Sequence, residues 1–166
     1  KIIVRRAEDG EKVVTLDEKE RKLNPDDIGI ADGNKAVALG GVMGGYNSEI
    51  DENTKNILIE VAHFNPLNIR KTSKRLTLSS DASYRFERGI DLEDAVRVID
   101  RVAELIQETA GGEILHGVSE AYPAKYEETH EDNPVKTVLK FDNELKEFLK
   151  KLTEHTLGEN IPFINI

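Results

Sequence analysis

The stretch from residue 56 to residue 64, NILIEVAHF, constrains the fold more than any other part of the sequence. It is a short and nearly continuous apolar run, which is typical of a strand that is buried on both faces. Glu60 lies in the middle of this run. A carboxylate in a buried strand must be hydrogen-bonded or ion-paired, or it takes up a proton. The run therefore predicts a buried strand that carries one unusual acid.

Successive side chains of a strand point to opposite faces, so Glu60 shares its face with Leu58 and Ala62. Small and aliphatic neighbours of this kind fit the wall of a pocket. Two other interpretations of Glu60 remain open, namely an edge-strand residue that points into water and a member of a structural salt bridge. His63 falls on the opposite face, where we interpret it as a structural histidine and not as a catalytic one.

Four of the six residues from 40 to 45, GGVMGG, are glycine. Glycine permits positive φ angles and lets another group approach the backbone closely. Such a segment can be a tight turn between strands, or its backbone N–H groups can cradle a ligand. No Gly-Lys-Ser/Thr follows it and no helix opens after it, so it is neither a Walker loop nor a dinucleotide-binding fingerprint.

A basic segment follows the buried strand. Asn65 and Pro66 are typical of a helix cap and a first helical position, and the helix is expected to continue through LNIRKTSKRL. Its positive charges lie on neighbouring turns of one side. They are Arg70, Lys71, Lys74 and Arg75. These residues form either a solvated face or a contact with RNA phosphates.

The segment from Leu78 to Gly89, LSSDASYRFERG, is predicted to be a loop, and a long helix from Leu92 to Ala110 is predicted to follow it. Asp91 is expected to cap this helix, and Gly111-Gly112 to end it. The helix carries apolar residues at helical spacing, which is typical of core support. The charged end of the loop forms either an internal ion-pair lattice or a clamp for an RNA acceptor stem. Its members are Arg85, Glu87 and Arg88.

The first forty residues predict a meander of short antiparallel strands. The expected strands are Lys1 to Arg6, Lys12 to Leu16, Ile28 to Asp32 and Ala36 to Leu39. A hairpin turn at Glu8-Asp9-Gly10 is expected to join the first two, and Asp17 to Arg21 is interpreted as another turn. Together with the helices, these strands predict an α+β fold. It has an antiparallel or mixed sheet of short strands, one long C-terminal helix and a short basic helix.

The character of the chain changes after Tyr122-Pro123. The segments predicted around this change are a strand from Glu113 to Ala121, a charged linker from Lys125 to Pro134, a strand from Thr137 to Phe141 and an amphipathic helix from Asn143 to Leu152. We therefore interpret residues 1–122 as one partial module. Residues 123–166 are interpreted as a charged linker and the possible start of a next domain.

The composition limits the classes of function. Of 166 residues, 38% are hydrophobic and 33% are charged, which is typical of a soluble globular protein. No apolar run approaches the roughly 18 residues of a transmembrane helix, and the first residues do not resemble a signal peptide. The absence of cysteine excludes disulfides and cysteine nucleophiles and fits a cytoplasmic protein. There is no metal-binding histidine pair and no Ser/His/Asp order, and the net charge of −9 limits nucleic-acid binding to a local basic patch.

The residues from Ala36 to Gly89 resemble the editing module of the beta subunit of bacterial phenylalanyl-tRNA synthetase. The matching segments are ALGGVMGG, EVAHFNP, IRKTSKRL and SSDASYRFERGID, which stand in the order and spacing of that family. The resemblance covers about residues 1–122, and the tail departs from the family pattern. It implies a module that is truncated at its N-terminal side.

This resemblance implies hydrolytic proofreading of tyrosine that is attached in error to phenylalanine tRNA. A hydrophobic pocket cannot strongly reject an isostere with an added hydroxyl, so a second site that removes the error is useful. The residue that reads the tyrosine hydroxyl in the family matches Glu60. Gly41 and Gly44 match positions where the backbone lies against the substrate. Ser80 and Ala82 match positions that line the amino-acid pocket, and Ser80 stands where threonine is common.

The resemblance also implies partners, namely phenylalanine tRNA and the alpha subunit of a class II aminoacyl-tRNA synthetase with an α2β2 assembly. ATP and magnesium serve the synthetic reaction in the alpha subunit, so no cofactor or metal is expected in this chain. The upstream half of the family's module supplies a histidine and polar residues that position the ester and water. We therefore name no catalytic residue, and the isolated chain can be inactive. The alternative is a non-catalytic RNA-docking or structural module of the same subunit.

Overall fold

The computed structural model of the protein describes residues 2–121, together with the backbone of two later strands at 136–139 and 163–165. The strands are β1 (Ile3–Arg6), β2 (Lys12–Val14), β3 (Glu20–Lys22), β4 (Ile28–Ala31), β5 (Ala36–Leu39), β6 (Met43–Gly44), β7 (Leu58–His63), β8 (Ser119–Ala121), β9 (Lys136–Leu139) and β10 (Phe163–Asn165). The helices are α1 (Pro66–Leu76), α2 (Asp81–Phe86) and α3 (Ala95–Ala110), and a short 3-10 turn spans Tyr46–Ser48. The predicted α+β fold is confirmed.

The strands form two four-stranded sheets and one two-stranded ribbon. The first sheet has the order β1-β4-β5-β6, and each neighbouring pair in it is antiparallel. The short antiparallel strands expected for the first part of the chain are thus present, but the sheet is not a simple meander, because β2 and β3 form the separate ribbon. The second sheet has the order β10-β7-β9-β8, in which β7 pairs in parallel with β10 and antiparallel with β9. The strand that carries Glu60 is thus an interior strand and not an edge.

The main core lies between the first sheet, one face of β7 and the two short helices. Phe64 and Phe86 meet edge to face inside it, with their ring centroids 5.1 Å apart. Ala62 of β7 packs in this cluster, whereas its neighbour Val61 packs with Ile99 of α3 in a second cluster. The two faces of β7 are therefore both covered, as the apolar run predicted.

The predicted hairpin between the first two strands is wrong, because β1 pairs with β4 and β2 pairs with β3. The N–H of Leu23 donates a hydrogen bond to the carbonyl of Glu11 (2.7 Å). Val13 and Leu23 are both buried in the main core. The segment from Asp17 to Arg21 is not only a turn, because β3 begins within it.

The prediction of a loop over residues 78–89 is also wrong, because α2 forms inside it. Ser80 and Ser83 begin this helix with a reciprocal capping box. The N–H of Ser83 donates to the hydroxyl of Ser80 (3.0 Å), and the N–H of Ser80 donates to the hydroxyl of Ser83 (2.9 Å). Two serines thus satisfy backbone donors that the first helical turn leaves open.

The long helix is present but begins later than predicted, at Ala95 and not at Leu92. Asp91 does not cap it, because its carboxylate accepts the N–H of Glu93 (2.9 Å) in a turn before the helix. The predicted end at Gly111 is confirmed, with a positive φ of 76° at that residue. The start of α1 is confirmed as well, since the side chain of its cap residue accepts two backbone N–H groups of the first turn.

The predicted strand over Glu113 to Ala121 is limited to β8. The strand predicted from Thr137 to Phe141 corresponds to β9, and the helix predicted from Asn143 to Leu152 lies outside the described residues. The proposed boundary at residue 122 stays a prediction. Within the described residues, no helix is both long enough and apolar enough to cross a membrane.

Candidate functional site

Glu60 is fully buried, with an exposed fraction of 0%. Among the described residues, neither oxygen of its carboxyl group has a hydrogen-bond partner. Glu60 therefore does not point into water, and it forms no salt bridge with a described residue. Burial raises the pKa of Glu60 from its ordinary 4.5 to about 8, so the group is a neutral acid at pH 7. A buried polar group without a partner is rare and marks a place where a ligand can supply one.

The glycine turn is required by internal packing. Gly41 has a φ of 66°, and a Cβ atom there would lie 2.8 Å from Cδ1 of Ile69 and 2.9 Å from Cδ2 of Phe64. A Cβ atom at Gly45 would lie 2.2 Å from the carbonyl oxygen of Val37. The tight-turn interpretation thus accounts for these two glycines without a ligand.

Gly44 differs from Gly41 and Gly45 because it lies in β6 and is only half-buried. The atom closest to a Cβ built there is Cδ1 of Leu16, at 3.2 Å, and that side chain is itself largely exposed. The backbone of Gly44 is therefore closer to the surface than the backbone of Gly41.

Ser80 joins the turn to the second helix. Its hydroxyl donates a hydrogen bond to the carbonyl of Val42, which stands between Gly41 and Gly44 in the sequence. The same oxygen accepts the N–H of Ser83 at the start of α2. The hydroxyl of Ser80 thus connects this predicted site residue to the turn that contains Gly41 and Gly44.

A cavity of about 310 Å³ lies between β7, α2 and α3. This volume is at the lower end of the range that is usual for small-ligand pockets. Much of the wall is apolar and includes Val61, Ala82, Phe86, Ile90, Ala95 and Val98. The polar members of the wall are His63, Arg85, Asp91 and Asp94.

Among the five predicted pocket residues, Ala82 is the one that lines this cavity within the described part of the chain. Glu60 lies in β7 immediately before the segment of that strand that forms the wall. The cavity also borders the main core, because Ala62 and Phe86 belong to both. Sequence reasoning had assigned no site role to His63, which is buried and reaches the cavity wall from the face opposite Glu60.

The four basic residues of α1 do not form one equivalent set. Arg75 pairs with the buried carboxylate of Asp27 and also donates to the carbonyl of Lys22 (3.3 Å). Thr72 donates to the same carboxylate (2.7 Å), so this cluster anchors α1 to the loop before β4. The other three are exposed and form no ion pair within the described residues. They are Arg70, Lys71 and Lys74.

The expected ion-pair lattice at the end of the second helix is only partly formed. Arg88 pairs with Glu87 (2.7 Å) and lies over the ring of Tyr84, 3.5 Å from its centroid. Arg85 is exposed at the cavity and has no ion pair or side-chain hydrogen bond to any described residue. This difference between Arg85 and Arg88 could not be predicted from the sequence, because α2 itself was not predicted.

The profile of the B3/4 domain family matches residues 1–111. This chain belongs to the B3/4 domain family. The match includes β1 to β7, all three helices and every residue named above as part of the cavity or the glycine turn. A B3/4 domain is therefore the structural unit that carries the candidate site.

Proteins named phenylalanine–tRNA ligase beta subunit are similar to this B3/4 chain. The protein from Geobacter metallireducens is 54% identical over 123 residues, which are 74% of this chain and 15% of that protein. The protein from Syntrophus aciditrophicus is 45% identical over 162 residues, which are 98% of this chain and 18% of that protein. The protein from Moorella thermoacetica is 46% identical over 169 residues, which are 98% of this chain and 21% of that protein. These matches confirm the resemblance carried by the four motif segments. The chain spans only 15 to 21% of the length of these relatives.

Proposed function

We propose that this chain is part of a phenylalanine–tRNA ligase beta subunit and forms the amino-acid-recognising wall of its proofreading site. The substrate is tyrosine esterified to phenylalanine tRNA, and the reaction is hydrolysis of that ester. The observation that carries this proposal is the fully buried carboxyl group of Glu60, which lacks a partner among the described residues.

The para hydroxyl of tyrosine is the group that Glu60 recognises. A phenol can both donate and accept a hydrogen bond, and a neutral carboxylic acid can do the same. Tyrosine would thus supply the partner that the described fold does not, whereas phenylalanine would leave the acid unpaired in a buried place. An unsatisfied buried group costs about 1–3 kcal/mol, which corresponds to roughly 5- to 150-fold in affinity.

The cavity beside β7 suits an aromatic ring, and Glu60 directly precedes the part of that strand that forms its wall. Ala82 is small and lines a cavity that is largely apolar. Ser80 and the glycine turn present backbone groups next to α2. The fold needs glycine at position 41 for its own packing, but this requirement is compatible with substrate contact on the other side of the turn.

The proposal also includes the partners and cofactors of the complete ligase. We propose phenylalanine tRNA and the ligase alpha subunit, in an α2β2 class II enzyme of the cytoplasm, as the partners. ATP and magnesium serve the synthetic reaction of the complete enzyme. No general base is assigned to this chain, so water is positioned for hydrolysis by groups outside the residues discussed.

Calorimetric titration of the 166-residue chain with L-tyrosine and L-phenylalanine tests this proposal. We expect Glu60→Ala to bind the two amino acids equally and to melt cooperatively. Glu60→Gln keeps a hydrogen-bonding group of similar size and should retain part of the preference for tyrosine. If Glu60→Ala discriminates as well as the unaltered chain, Glu60 does not read the hydroxyl.

One observation favours a second function, namely RNA docking without turnover. The exposed basic residues of α1 other than Arg75 have no acidic partner in the described part of the chain. Neutralisation of all three would then abolish RNA binding, and the affinity of the unaltered chain would fall steeply with salt. Salt-sensitive RNA binding by a chain that binds neither amino acid would favour this second function.

A further inference from the structure

The outer surface of α2 combines an exposed aromatic ring with two guanidinium groups. The Tyr84 side chain is 57% exposed, and Arg88 is stacked on its ring. Arg85 is exposed between this pair and the cavity, which it also lines. None of these three side chains contributes to the main core.

We propose that the single-stranded 3′ end of an acylated RNA crosses this surface, with Arg85 on a backbone phosphate and Tyr84 against a base. The acyl group then enters the adjacent cavity. The inference rests on the proposed function, because it names how the RNA part of the same substrate is held.

The charges around α2 single out Arg85. The other arginines of α2, α3 and the turn between them are paired, Arg88 with Glu87, Arg97 with Asp94, and Arg101 with Glu104. Asp81 precedes Arg85 by one helical turn, yet no ion pair joins these two residues. Within the described residues Arg85 thus retains an unpaired planar donor set, and such a set binds phosphate oxygens in bidentate geometry.

The exposed ring of Tyr84 is suited to single-stranded RNA and not to duplex RNA. Proteins recognise single-stranded RNA by stacking splayed bases on aromatic rings and arginine planes, whereas the bases of a duplex are not available for stacking. The stacked pair of Tyr84 and Arg88 offers such a plane at the surface. The backbone N–H of Arg88 donates to the carbonyl of Arg85 (3.1 Å), so a hydrogen-bonded turn holds the two arginines close together.

The side chains of α2 divide between the cavity and the outer surface. Ala82, Arg85 and Phe86 lie on the cavity side, at intervals of one helical turn or less. Tyr84 lies beside them on the outer side and does not line the cavity. Arg85 therefore links the outer surface of α2 to the apolar cavity, because it is exposed and also lines that cavity.

Fluorescence anisotropy with a labelled single-stranded RNA octamer that ends in CCA tests this inference on the 166-residue chain. We expect Tyr84→Ala to weaken binding by roughly 5- to 150-fold, the range given by loss of one base stack, and Tyr84→Phe to bind normally. We expect Arg85→Gln to weaken binding and to reduce the slope of log K against log salt by about 0.7, since one phosphate contact with a single strand is lost. Arg101→Gln removes the same charge on α3, away from the cavity, and should leave binding unchanged.

The same variants titrated with free tyrosine separate this inference from the proposed function. If tyrosine binds and depends on Glu60, but the octamer binds equally to the unaltered chain and to Arg85→Gln, the RNA path over α2 is wrong and the proofreading pocket stands. A preference for blunt duplex RNA over the octamer would also contradict the inference. If the unaltered chain does not bind the octamer, the inference is also contradicted.

Discussion

The hydroxyl of Ser80 donates a hydrogen bond to the carbonyl of Val42, across 38 positions of sequence. Because the same hydroxyl caps α2 through the N–H of Ser83, one side chain holds the glycine turn against the start of the second helix. The two segments from which the proposed pocket takes its walls are thus coupled directly.

Replacement of Ser80 by alanine should destabilise the chain by about 1 kcal/mol, the usual cost of losing a helix N-cap, and more if the Val42 carbonyl stays buried without a donor. Urea unfolding measures this loss. Ser80→Thr keeps the hydroxyl and should remain within a few tenths of a kcal/mol of the unaltered chain. Equal stability of the alanine variant would show that neither bond contributes.

Replacement of Gly41 by alanine should destabilise the fold by about 2 kcal/mol or more, because its φ is positive and the new methyl group would overlap the side chains of Ile69 and Phe64. Gly89→Ala is the matched control, since Gly89 has a φ of 85° and nothing within 4 Å of a built Cβ atom. The control should show only the backbone strain of about 1 kcal/mol. Urea midpoints that fall equally in both variants would contradict the packing role of Gly41.

The burial of Glu60 predicts a pH dependence of stability. The folded chain holds this proton up to about pH 8, whereas the unfolded chain releases it near 4.5. Between these two values the folded state binds more protons, so the free energy of unfolding falls as pH rises, by up to about 1.4 kcal/mol per pH unit. Below pH 4.5 the contribution of the neutral acid is fully present.

Glu60→Gln removes this titration and keeps the size of the side chain. Urea unfolding of both proteins between pH 5 and pH 8 therefore isolates the contribution of Glu60, because all other groups cancel in the difference. We expect the variant to become more stable relative to the unaltered chain as pH rises. A difference that does not change with pH would mean that the acid is ionised in the fold.

Ala82→Trp should fill the cavity and reduce tyrosine affinity by more than tenfold, since the new side chain would take up much of a space of about 310 Å³. Val96→Trp is a control on the exposed side of α3 and should bind tyrosine normally. Calorimetric titration of both variants gives the comparison. Normal tyrosine binding by Ala82→Trp would show that Ala82 does not line the amino-acid site.

Local signals explain the elements that could be predicted from the sequence. Asn65 and Pro66 start α1 through contacts within the first turn, and Gly111 ends α3 through its own backbone angle. The burial of β7 followed from its apolar run. In each case the information lies within a few residues of the element.

The predictions that failed concern features that depend on long-range contacts or that have only weak local signals in the sequence. β1 pairs with β4, which lies more than twenty residues further along the chain, and β2 pairs with β3, so the turn signal between the first two strands did not decide the pairing. The second helix was missed because it is only six residues long and because serine, not glutamate or glutamine, closes its capping box. Arg75 and Arg85 look alike in sequence, but the fold brings Asp27 to Arg75 and brings no acidic partner to Arg85 among the described residues.

The measurement that tests the central proposal most directly is an NMR titration of the unaltered 166-residue chain with L-tyrosine and, separately, with L-phenylalanine. We expect tyrosine to shift the resonances of Gly41, Glu60 and Ala82 in a saturable manner, and phenylalanine to shift them weakly or not at all. Such a result would justify a deacylation assay with mischarged phenylalanine tRNA. A folded chain whose resonances respond equally to both amino acids, or to neither, would contradict the assignment of Glu60 as the reader of the tyrosine hydroxyl.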